Sequence, residues 1–176
     1  MNPETLSREL RTGSGPFLNR RRGIAALSMT AIGTMGLISL YQMGIIKHLP
    51  DPPLPYFNTD KVNGSDEAYA RLATPDAVLG LGSYAVTLGL AAIGGRDRAT
   101  EQPWMPLALA AKTLFDAALV GKFTVDQWTK YHTFCSWCLL SGGATFATVP
   151  LALMEARAAF QHLTECQQGR SVAISK

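Results

Sequence analysis

The chain alternates between long apolar blocks and short polar breaks. An uncharged run from Gly23 to Ile46 follows Asn19-Arg20-Arg21-Arg22. It exceeds the about 20 residues needed to cross a hydrocarbon layer. Further apolar blocks lie near residues 77–95, 103–121 and 134–154. Four such blocks predict an all-α integral membrane protein, a four-helix transmembrane bundle spanning residues 23–155. The first block is too long for a signal-peptide core, and no small-residue cleavage site follows it, so it reads as a span.

The polar breaks refine this picture. Residues 1–22 read as a loosely ordered N-terminal tail with room for a short helix. Pro50, Pro52, Pro53 and Pro55 forbid regular helix in the loop over 47–75 and favour extended backbone. Within that loop Ser65-Asp66-Glu67 is a helix-start pattern, which predicts a short amphipathic surface helix from Asp66 to Ala73. Gly94 to Arg98 reads as a turn, Lys122 to Thr133 as a polar loop, and residues 156–176 as a helix-prone C-terminal tail.

Composition changes the picture in two ways. Only 16% of residues are charged against 47% hydrophobic, where about 25% charged is usual for a soluble domain. The net charge of +3 sits at helix flanks without an aromatic-interleaved basic stripe, which points to lipid rather than nucleic acid as partner. Arg8, Arg11, Arg20, Arg21, Arg22, Arg96, Arg98, Arg157, Arg170 and Lys176 fall on one side of the expected bundle. Lys47, Lys61, Arg71, Lys122 and Lys130 fall on the other. The excess places both termini in the cytoplasm. The proline-rich loop and the start of the fourth helix then face the periplasm across an inner membrane, where disulfides persist.

Three cysteines are present. Cys135 and Cys138 stand three apart at a helix start, so they share a face about 5 Å apart, a separation that a disulfide tolerates. A helix N-terminus also favours a thiolate. The pair thus reads as a redox dithiol, with simple packing as the plain alternative. A metal site with His132 is a further one, but structural zinc normally needs four ligands. Two axial histidines, His48 and His132, could in principle hold a haem, although interface histidines are commonly just solvated. Cys166 lies on the expected cytoplasmic side and reads as unpaired. Gly142 and Gly143 remove bulk one turn below Cys138, which serves either close helix packing or a flat ring against the sulfur. Trp137 reads as an interfacial aromatic and as a wall of the redox site. Lys112 and Asp116 share a face inside the third block. They read first as an ion pair, and alternatively as a proton route.

With these residues in view, Tyr131-His132-Thr133-Phe134-Cys135-Ser136-Trp137-Cys138-Leu139-Leu140 resembles the aromatic-flanked CxxC segment of the vitamin K epoxide reductase family. Thr74-Pro75-Asp76-Ala77-Val78-Leu79-Gly80 resembles the segment that opens that family's second helix. The layout matches over about residues 24–155. The resemblance implies a membrane thiol–disulfide oxidoreductase that couples the Cys135–Cys138 pair to a quinone, ubiquinone or menaquinone. It implies catalytic roles for Cys135 and Cys138 and a quinone pocket at Asp76, Gly80, Tyr84, Trp137 and Gly142. Cys135 would meet an outside thiol, carried by a periplasmic thioredoxin-like protein, and Cys138 would face the ring.

Two departures stand out. The family usually carries a cysteine pair in the first outer loop, and residues 47–75 contain none. That absence motivates an alternative, a non-catalytic membrane subunit or scaffold of a larger complex. The family also often has Asn where Asp76 stands. An ionised Asp cannot donate to a quinone carbonyl and a protonated one can, while a plain helix-start role for Asp76 competes with both.

Overall fold

A computed structural model describes residues 2–174, with side chains to residue 166. The regular structure of the described residues is helical, without a strand beyond an isolated bridge between Phe57 and Phe134. Helix α1 (Pro3–Thr12) starts as its sequence dictates: Asn2 Oδ1 accepts from Glu4 N at 3.1 Å, and Pro3 takes the first turn, where its missing N–H costs nothing.

Helix α2 (Pro16–Gln42) begins earlier than Gly23, because Pro16 opens it and the arginine run is helical. It also ends before Ile46, at Gln42, where the chain turns into Gly44 with φ of 76°. Only glycine takes that backbone without strain. The proline stretch is non-helical as expected. Beyond it lies an unexpected helix α3 (Thr59–Asn63), capped by Asn58 Oδ1 accepting from Lys61 N at 2.8 Å. The expected helix from Asp66 to Ala73 is only a single 3-10 turn over Asp66–Tyr69. Leu72 and Ala73 adopt left-handed φ values of 54° and 49°, which stops any helix there.

Helix α4 (Asp76–Ala92) is followed by the short α5 (Arg98–Glu101) and by α6 (Trp104–Asp126). The expected polar loop from Lys122 is instead the end of α6, where Lys122 pairs with Asp126 one turn on. A π turn over Gln127–Tyr131 follows, and His132 at φ of 53° ends it. Helix α7 (Ser136–Ile174) continues through Pro150 and well past Met154. Ala-rich sequence favours that continuation, and so does Glu155, which Arg98 holds by two bonds of 2.8 Å.

Helix α2 packs on α4 and α7, and α6 packs on α7 and more sparsely on α4. Arg21 ties the first contact together. Its buried guanidinium donates to the carbonyls of Ala91 at 2.8 Å and Gly95 at 2.9 Å, and to those between. These are the carbonyls that a helix end leaves without partners. Apolar clusters run along the helix axes: Ile24, Leu109 and Ala152 at one end, Ala31 and Tyr84 midway, Ile38, Leu49 and Cys135 at the other. Three helices, α2, α6 and α7, are long and apolar enough to cross a membrane, and α4 is a shorter apolar helix of 17 residues. Large side chains such as Val86, Phe115 and Phe146 point outward, more than half exposed. Outward-facing apolar surface of this extent suits lipid rather than water.

Candidate redox site

Cys135 precedes the first residue of α7, and Cys138 closes that helix's first turn. The two are joined in a disulfide with Cα atoms 5.1 Å apart. Cys135 Sγ occupies the capping position: Cys138 N donates to it at 3.0 Å, and Asn63 Nδ2 donates to it at 3.2 Å. Asn63 Oδ1 lies 3.7 Å from Cys138 Sγ, placed to accept from a thiol once the bond opens. The Cys135 backbone N–H donates to Gln127 Oε1 at 2.9 Å. When the disulfide opens, negative charge on Cys135 therefore meets two N–H donors and the positive end of α7.

The loop holds this arrangement shut. Asp51 accepts from Thr59 N at 2.6 Å, Thr59 Oγ1 at 2.5 Å and Ser136 Oγ at 2.6 Å. Partial burial alone would raise the Asp51 carboxyl, but the bonds from Ser136 and Thr59 outweigh it and hold it below the ordinary carboxylate range. Phe134 N donates to Tyr56 O at 2.8 Å, and Asn58 N donates to Phe134 O at 3.0 Å. His48 pairs with Asp60, whose Oδ1 also accepts from Leu49 N at 3.0 Å. The result is that Cys135 is 0% exposed. The sulfur expected to meet an outside thiol is covered.

Cys138 is reached from another direction. A cavity of about 640 Å³ opens between α4, α6 and the 3-10 turn, and Cys138 and Ser141 form part of its wall. Asp76, Gly80 and Tyr84 line it too. Asp76 accepts from Gln42 Nε2 at 2.7 Å, and Gln42 Oε1 accepts from Ala77 N at 3.2 Å. Tyr84 is bonded to Thr145 Oγ1 at 2.9 Å. A Cβ on Gly80 would come within 3.0 Å of Met35 Sδ, so glycine lets α2 and α4 close up behind the cavity.

Trp137 and Gly142 do not line this space. Trp137 Nε1 donates to Pro50 O at 3.0 Å and so fastens the loop to α7. Gly142 serves helix packing, since a Cβ there would lie 3.0 Å from Val120 Cγ1. His132 is exposed and edge-on to Trp128. Lys112 and Asp116 are paired at 2.5 Å, and Ser83 Oγ donates to Asp116 Oδ1 at 3.1 Å, with Ser83 and Asp116 on the cavity wall. Cys166 is free and exposed, about 42 Å along α7 from Cys138 at 1.5 Å per residue.

Sequence reasoning passed over three buried amides, Gln42, Asn63 and Gln127. The Asn58 capping pattern would have located α3, and with it Asn63. Nothing in the sequence marks Gln42 or Gln127.

Comparison with curated proteins and with solved structures gives no match. The model of the Vitamin K epoxide reductase family matches residues 23–153, a span that holds α4, α6, both site cysteines and the cavity. By that match the chain belongs to the vitamin K epoxide reductase family.

Proposed function

We propose that this chain is a membrane thiol–disulfide oxidoreductase that couples the Cys135–Cys138 pair to a quinone, ubiquinone or menaquinone. The observation that carries the reading is the cavity that ends on Cys138 while Cys135 Sγ rests on two N–H donors. Family membership supports a membrane redox enzyme.

The cavity suits a quinone headgroup. Its volume lies in the range of ligand sites, and Met35, Ile38 and Leu79 give it apolar walls. Asp76 supplies a polar group at the α4 start, held by Gln42. When bound, the quinone accepts two electrons and two protons. The chain's own residues do the rest. Cys138 presents sulfur to the cavity, and Asn63 accepts a hydrogen bond from the Cys138 thiol while donating one to Cys135. The covering loop keeps Cys135 from side reactions with bulk thiols.

In this reading α2, α4, α6 and α7 form a four-helix transmembrane domain in the inner membrane, with both termini cytoplasmic and the disulfide at the periplasmic end. Two of the arginines behind that orientation, Arg21 and Arg98, are buried in structural bonds; the remaining excess keeps its sign. A thioredoxin-like protein, the partner implied by the family resemblance, finds no surface on Cys135.

The test is single-turnover chemistry. Full-length protein in lipid discs, reduced with a phosphine and freed of it, is mixed with a short-chain ubiquinone. Quinol should appear with one equivalent per disulfide formed, and Cys138→Ser should abolish it. Unchanged quinol formation by Cys138→Ser would contradict the assignment.

A further inference from the structure

Two facts about access conflict with exchange against a large protein. Cys135 is fully buried beneath the loop. Residues 47–75 carry no cysteine that could pass electrons inward. The cavity reaches one sulfur of the pair, and that sulfur is Cys138.

The cavity has two unlike sides. Leu79 and Leu119, each 36% exposed, flank it where α4 and α6 part, and this side faces the apolar surface. Glu67, Arg71, Lys122, Asp126 and Lys130 form its polar side, all exposed but the half-buried Asp126. Lys122 is paired with Asp126 and Lys130 with Glu67, each at 2.5 Å. Arg71 makes no ion pair among the described residues; its guanidinium lies 4.5 Å above the Phe123 ring. A guanidinium of this kind, propped on an aromatic face, is suited to a carboxylate.

We propose that the thiol partner of the pair is a small, carboxylate-bearing thiol that enters from this polar side, is held by Arg71 and exchanges at Cys138. The inference rests on the oxidoreductase reading above and names the second substrate of the same site. A thiolate attacks Cys138 Sγ, the Cys135–Cys138 bond breaks, and Cys135 leaves as a thiolate onto the N–H groups of Asn63 and Cys138. A second thiolate attacks the sulfur of the first, releases the small disulfide and leaves Cys138 reduced. The dithiol then gives two electrons and two protons to the quinone and returns to the disulfide. The balance is two thiols plus quinone to one disulfide plus quinol.

Attack at Cys138 rather than Cys135 follows from both access and leaving-group chemistry. A stabilised thiolate leaves faster, and the two donors sit on Cys135. Because both substrates need Cys138, each should exclude the other. Kinetics should be ping-pong, with each substrate inhibiting competitively at high concentration.

The experiment uses the full chain in lipid discs and follows reduction of the disulfide by mass-tagged alkylation. Mercaptoacetate, cysteamine and a reduced thioredoxin-type protein serve as electron donors. Quinone oxidation is read separately on phosphine-reduced protein, so that a failure there strikes the oxidoreductase reading and leaves thiol exchange to be judged by itself. Mercaptoacetate should reduce the pair faster than the protein dithiol at equal thiol concentration. Arg71→Gln should lower the rate with mercaptoacetate relative to cysteamine by about fivefold, as for loss of a good ion pair, and Arg71→Lys should restore part of it. Faster reduction by the protein dithiol, or an unchanged ratio in Arg71→Gln, would overturn the proposal.

Discussion

Asn63 does two jobs with one amide, donating to Cys135 Sγ and offering its oxygen toward Cys138 Sγ. A charge-bearing sulfur that loses a buried donor loses roughly 1–3 kcal/mol, which is about fivefold to a hundredfold in rate or equilibrium. Asn63→Ala should therefore slow thiol reduction of the disulfide by at least about fivefold, read by stopped flow, with the helical circular dichroism retained. Asp76 admits a cleaner comparison, since Asn keeps its size and supplies a donor. Asp76→Asn should preserve quinone turnover, while Asp76→Ala should raise the KM for quinone by a similar factor. Equal KM in the parent and Asp76→Ala would reduce Asp76 to the start of α4. Of the residues singled out in the sequence, Asp76, Gly80, Tyr84 and Cys138 lie on the cavity wall, and Cys135 lies behind it in the disulfide. The sequence hid Asn63, because a side chain that reaches the site from a five-residue helix leaves no periodic trace. Trp137 and Gly142 lie off the cavity wall, because proximity in sequence to Cys138 says nothing about which side of α7 opens onto the cavity.

The long apolar helices were legible from hydropathy, since a length sufficient to cross a membrane is itself a signal. Their ends were not. Gly44 and the arginine caps set those ends, and a capping arginine looks in sequence like any flanking charge. The covering loop was legible only as an absence of helix; its hold on α7 comes from Asp51, Thr59 and Ser136, residues far apart in sequence. Asp51 makes that hold pH-dependent. Its carboxyl is held below the usual range in the folded loop, so the stabilisation is present above the ordinary carboxylate value of about 4 and is lost as pH falls through the lower folded value. Amide exchange in residues 48–63 should speed up below about pH 4, and Asp51→Asn should show fast exchange at neutral pH as well. The buried pair on α6 gives a second prediction at this scale. Removing one partner of a buried pair costs about 3–5 kcal/mol. Asp116→Ala should lower the thermal midpoint more than Lys112→Met combined with Asp116→Leu.

The whole molecule is asymmetric from end to end, with buried arginines and Glu155 at one end and the disulfide, loop and cavity at the other. That asymmetry makes the orientation testable with a native probe. Cys166 is exposed at the arginine end. In intact cells it should resist an impermeant maleimide, while Asp66→Cys should react; labelling of Cys166 would invert the topology. The central claim is that the disulfide exchanges electrons with a membrane quinone. The most direct measurement is the redox state of Cys135 and Cys138, trapped by alkylation in native membranes depleted of quinone and then resupplied. The account predicts that the pair is reduced under depletion and returns to the disulfide on resupply. A pair whose redox state is the same in both membranes would contradict it.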